Sequence, residues 1–199
     1  GDTTIYMYYG ADIASIPPVF VATPPSGPFT KAAGNPIIAD GDPNTSGQYL
    51  LAENIVYDPV SQHYWMAFSN YRAGQSVGLM WSDDPTDPDA WNWESGSVIA
   101  NGNAPHLMQH NGTWYIFYSD RPTAPFNIVV QSSASVNGPY SNKQIILTPT
   151  EDWEGERVDE PFVFQRNDGK WVLVYMGAIT SSKYQIGYAT ADMLTGTYQ

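Results

Sequence analysis

The stretch NAPHLMQHNGTWYIFYS (103–119) decides the fold. Asn111-Gly112 at its centre is a two-residue hairpin signal, because both central positions of a type I′ turn need positive φ. The flanks NAPHLMQH (103–110) and TWYIFYS (113–119) therefore read as paired strands, and NIVVQSS (127–133) and the stretch through QIILT (144–148) complete a four-stranded meander. The plan returns in DEPFVFQR (159–166), NDG (167–169), KWVLVYMG (170–177) and YQIGYAT (184–190). It is present again in AENIVYDP (52–59) with HYWMAFS (63–69), and in part at IYMYYG (5–10). Each unit closes on a turn: SGPF (26–29), DPDAW (87–91), NGPY (137–140) and TGTY (195–198).

The aligned aromatics Tyr9, Phe68, Tyr118 and Tyr175 recur at roughly 50–60 residues, the spacing of propeller blades. WYIFY and WVLVY are apolar at successive positions, which predicts strands buried on both faces, as stacked blades require. No stretch carries sustained helical periodicity. The reading is an all-β propeller in a single domain, 1–199, with repeats at about 1–48, 49–100, 101–148 and 149–199. The first repeat lacks an inner strand and the last lacks a fourth.

Composition excludes several classes of function. Eight Lys plus Arg against twenty Asp plus Glu give a formal charge of -12, a field that repels nucleic acid and anionic membranes. With no cysteine there is no disulfide, zinc-thiolate site or thiol nucleophile. No apolar run is long enough to span a bilayer, and no signal segment is present, although a removed signal would leave the same picture. The expected location is extracellular or periplasmic.

Hairpin turns at one end of the ring put the starts of the inner strands and the ends of the second strands at the other. The residues meeting at that mouth are Glu53, Asn54, His106, Asp159 and Glu160, with Tyr71, Arg72, Asp120 and Arg121 beyond the second strands. The loop TEDWEGERV (150–158) adds Trp153, Glu156 and Arg157. Carboxylates with a tryptophan face and arginine forks suit glycosidic bond cleavage, in which one carboxyl protonates the leaving oxygen and another activates water or attacks carbon. Glu160, Glu53, Asp159 and His106 are the catalytic candidates. Asn54, Tyr71, Arg72, Asp120, Arg121, Trp153 and Arg157 are the substrate-binding candidates.

At these residues the chain resembles a family. NAPHLMQHNGTWYIFYS and VDEPFVFQRNDGKWVLVYMG are similar to the blade motifs of the five-bladed β-propeller glycosidases, the arabinanases, β-xylosidases and arabinofuranosidases, with fructosidases and neoagarobiose hydrolases as relatives. The resemblance implies a glycoside hydrolase of plant or algal poly- or oligosaccharides, using an Asp base, an orienting Asp and a Glu acid from three inner strands. Here Glu160-Pro161 stands at the Asp-Pro position, His106 follows Ala-Pro, and Glu53-Asn54 stands at the corresponding place of the second repeat. The alternatives are a carbohydrate-binding propeller without chemistry and a truncated module that assembles with another chain.

Five blades at this period need roughly 250–300 residues. A fragment or short homologue is therefore expected, its open edges covered by another chain, a homo-oligomer included. No cofactor is implied. ADGDPNTSGQ (39–48) spaces Asp40, Asp42 and Asn44 as a calcium loop does, but glycine falls at Gly47 and no glutamate closes it, so a plain turn is the reading and structural calcium the alternative. SDDPTDPDAWNW (82–93) reads as a solvated loop.

Overall fold

Runs of Tyr, Trp, Val and Ile between turn residues form strands throughout the computed structural model, which describes residues 5–8, 19–22, 28–31, 50–70, 75–94, 98–121, 124–180 and 183–199. The first sheet is β1 (Ile5–Tyr8), β2 (Val19–Ala22) and β3 (Thr30–Lys31). The second runs β4 (Leu50–Asp58), β5 (His63–Asn70), β6 (Ser76–Ser82) and β7 (Asn92–Trp93), with β8 (Ile99–Ala100) also on β6. The third is β9 (Gly102–His110), β10 (Thr113–Asp120), β11 (Asn127–Ser133) and β12 (Ser141–Leu147). The fourth is β13 (Val158–Gln165), β14 (Trp171–Thr180) and β15 (Lys183–Ala191). All of these pairings are antiparallel.

The two glycine hairpins differ. Asn111 and Gly112 both have positive φ, 49° and 76°, and make the two-residue turn between β9 and β10. Of Asp168 and Gly169 only the glycine is left-handed, with φ 87°. The β13–β14 loop is longer, closed by Gly169 N–H to Arg166 O at 3.0 Å and Arg166 N–H to Lys170 O at 2.8 Å. A type I turn followed by one left-handed residue needs only one glycine. The outer turns do repeat: Tyr140 Oη donates to Val136 O and Tyr198 Oη to Leu194 O, each four residues back.

The second, third and fourth sheets stack face to face with their first strands together. Trp114, Ile116 and Tyr118 of β10 pack with Trp65, Ala67 and Leu79 of the second sheet. Phe117, on the opposite face of the same strand, packs with Trp171, Leu173 and Tyr175 of β14. WYIFY is thus buried on both faces, as its pattern predicts. WVLVY is likewise buried on both faces, with Val172 on one and Trp171, Leu173 and Tyr175 on the other, and opens only at half-buried Val174, whose strand neighbours Phe162 and Tyr188 are 53% and 72% exposed.

Candidate functional site

Three inner strands carry the same defect at the same level. The register of β4 on β5 jumps across Glu53, that of β9 on β10 across Ala104-Pro105, and that of β13 on β14 across Glu160-Pro161. A bulge leaves its extra residue out of the ladder and bends the strand, and proline, lacking an N–H, is tolerated there. Ala104 and Glu160 are both left-handed, with φ 49° and 53°. That conformation costs a non-glycine residue about 1–2 kcal/mol. The fold accepts alanine at this position in β9, so nothing in the backbone calls for the carboxylate that β13 places there.

Side chains beside the bulges tie each sheet to the next. Asn54 Nδ2 donates to Leu107 O at 2.6 Å and its Oδ1 accepts from Leu107 N at 2.9 Å. His106, the equivalent of Asn54 one sheet on, donates from Nε2 to Val163 O at 3.2 Å. A second pair of ties comes from equivalent serines. Ser69 Oγ accepts from Ala104 N at 2.7 Å, and Ser119 Oγ donates to Val158 O at 3.3 Å. Asn54 and His106 thus spend polar atoms on joints between sheets. Burial depresses the His106 imidazole to about 4, opposed in part by its bond to Val163, with Phe162 edge-on at 4.8 Å.

At the mouth of the fourth sheet, Asp159 is 1% exposed and ion-paired with Arg121 Nη2. Its other oxygen accepts from Glu160 N at 3.1 Å. Glu160 beside it is half-buried. Asp120 is buried and pairs with Lys143 Nζ at 2.7 Å. Glu53 is the bulged residue of β4 and stands where the equivalent bulges have Pro105 and Pro161, one residue on from Ala104 and Glu160. Tyr71, Arg72 and the loop 39–48 lie outside the described residues.

Trp153 and Arg157 sit to one side of this level. Trp153 stacks on Tyr175 at 5.5 Å, and its ring lies across Gly177 and Gly187 of neighbouring strands. A Cβ on Gly177 would stand 2.7 Å from the ring, and one on Gly187 would overlap it. Arg157 lies over the Tyr184 ring at 5.3 Å. Trp153 also borders a cleft of about 750 Å³ with Glu151, Tyr175 and Tyr198, a cleft that no bulge residue lines. Glu154, next in the loop and buried, accepts from Tyr175 Oη at 2.5 Å and from the amides of Thr150 and Glu151 at 2.6 and 2.8 Å.

Sequence reasoning missed Ser69, Ser119 and Glu154. The serines had a signal, since each directly follows the aligned aromatic of its repeat, Phe68 or Tyr118. Glu154 had none, because its partners come from the fold of its own loop and from β14.

The family model for glycosyl hydrolases family 43 matches residues 81–199. The chain belongs to glycosyl hydrolase family 43. Similar solved structures include a thermostable family-43 glycoside hydrolase, with TM-score 0.80 and 18% identity, covering 100% of this chain and 68% of that one. An endo-1,4-beta-xylanase from Bacteroides thetaiotaomicron matches with TM-score 0.80 and 18% identity over 100% of this chain and 68% of its own. An endo-arabinase from the same organism has TM-score 0.74 and 15% identity, over 98% and 74% of the two chains. No curated protein matches. The fold is that of the five-bladed glycosidase propellers, and the four described sheets correspond to four of the blades. As a family 43 member the chain is a glycoside hydrolase.

Proposed function

We propose that this glycoside hydrolase uses Glu160 as the acid/base that protonates the glycosidic oxygen, with Glu53 as the second carboxylate and Asp159 as the group beside Glu160. The observation that carries this is the bulge of β13. It presents a carboxylate on a left-handed backbone where the equivalent bulge of β9 has Ala104. Strained positions that the fold fills with alanine elsewhere are where function puts a side chain. Asp159 has both oxygens engaged, by Arg121 and by Glu160 N–H, and suits an orienting role better than proton transfer.

The reading of the substrate is a xylan or an arabinan, supported by the names of the xylanase and the endo-arabinase that share the fold. Release of reducing sugar from a panel of xylans, arabinans and algal galactans tests both parts. Glu160→Gln should lower turnover about 10²–10⁴-fold with the melting temperature retained. An unchanged rate would remove Glu160 from the chemistry, and glycan binding without turnover by the unaltered protein would make the propeller a binding module.

The exposed face of the fourth sheet, with Phe162, Phe164, Tyr184, Ile186 and Tyr188, supports a further reading: a second copy of the chain covers it. Mass in solution across a dilution series checks it, and a monomer at every concentration would refute it.

A further inference from the structure

Resting on the assignment of Glu160, we propose that Arg121 is a positioning residue, which through Asp159 fixes the Glu160 peptide in the conformation that aims its carboxylate. Two equivalent bulges need their left-handed amide held, and they solve this differently. In β9 the acceptor for Ala104 N–H is Ser69 Oγ, a neutral group reaching across from the preceding sheet. In β13 the equivalent serine, Ser119, is turned to Val158 O, and Glu160 N–H goes to Asp159 Oδ1 in its own strand. Asp159 itself then needs an anchor in the preceding sheet. Arg121 supplies it, from the residue that follows β10.

The anchor is itself held. Arg121 N–H donates to Asn101 O at 3.0 Å, and its guanidinium lies 5.5 Å from the centre of the Phe126 ring. Phe126 is tied in turn to the strand that bears Asp159, accepting from Val158 N at 3.1 Å and donating to Glu156 O at 3.0 Å. The side chains of Arg121 and Asp159 are 11% and 2% exposed. Little of that guanidinium is open to a glycan. Arg121 therefore acts behind the catalytic carboxylate, and no contact with the glycan is needed for its role.

The test compares Arg121→Lys, Arg121→Ala and Glu160→Gln on a chromogenic aryl glycoside of the sugar that the unaltered protein releases. A small misplacement of a reacting group costs up to about 100-fold in rate, so Arg121→Lys, which keeps the charge and loses the fork, should lose about 10- to 100-fold in kcat with KM within about twofold. In Arg121→Ala the uncompensated charge of Asp159 beside Glu160 should move the proton-donor limb of the kcat profile to higher pH. Millimolar guanidinium should restore part of the rate. A raised KM at unchanged kcat would overturn the proposal and make Arg121 a substrate contact. Lost kcat with an unmoved pH profile and no rescue would leave it merely structural, and overturn it as well. If Glu160→Gln retains activity, the assignment of Glu160 fails instead, whatever Arg121 does.

Discussion

The joint between the second and third sheets and the joint between the third and fourth are built on one plan with different chemistry. The first is closed by the Asn54 amide, bonded to both backbone groups of Leu107, and by Ser69. The second is closed by a single bond from His106, by Ser119, and by the ion pair of Arg121 with Asp159. These described ties of the first joint are neutral at any working pH. The second depends on titratable and charged groups, and it is the one beside which Glu160 stands. Where a repeat protein departs from its own pattern, the departure marks the place where packing alone does not set the residue.

Acid should separate the two joints most clearly. The His106 imidazole is held neutral, falling from its ordinary 6.5 to about 4, because burial among Phe162 and Phe117 disfavours the charged ring. The stability tied to the neutral form is complete above pH 6.5 and is lost as pH falls through 4, about 3 kcal/mol in all. Denaturant titrations at pH 7 and pH 4 should show the loss, and His106→Asn, which copies the first joint into the second, should abolish most of it. An undiminished acid loss in that variant would mean that the two joints do not differ in this way.

Asn54→Ala should cost about 2–3 kcal/mol, since it leaves both Leu107 groups without their partner. Its cost should be the same at pH 7 and pH 5 in urea melts, and a strongly pH-dependent cost would blur the comparison. The smallest effects belong to the serines. Ser69→Ala, which removes the Ser69 acceptor from the amide of Ala104, should cost about 1–2 kcal/mol, and Ser119→Ala, whose bond is 3.3 Å long, about 0.5–1 kcal/mol by thermal denaturation. The reverse order would show that the second joint leans on Ser119 more than its geometry indicates.

Much of the fold could be read from local signals. Asn111-Gly112 placed the hairpin of the third sheet, and runs such as TWYIFYS placed its strands, because turn chemistry and β-propensity act over a few residues. Pro105 and Pro161 stand in two of the three bulges, a signal that sequence reasoning did not use. The third, at Glu53, has no proline, and a one-residue slip there exchanges the faces of Glu53 and Asn54. For the candidate site, sequence reasoning named a level in the ring but not the partners that meet there. Asn54 meets Leu107 and Arg121 meets Asp159 only because separate sheets stack, and no spacing along the chain encodes that meeting.

The seat of Trp153 has a consequence for descent. Its ring lies across Gly177 and Gly187, so a methyl group at either position collides with it. Among homologues glycine should persist at both positions wherever the indole is kept, and lineages that have replaced the tryptophan are free to carry a larger residue at 187 but not at 177, where the Glu154 backbone would still stand 2.8 Å from a Cβ.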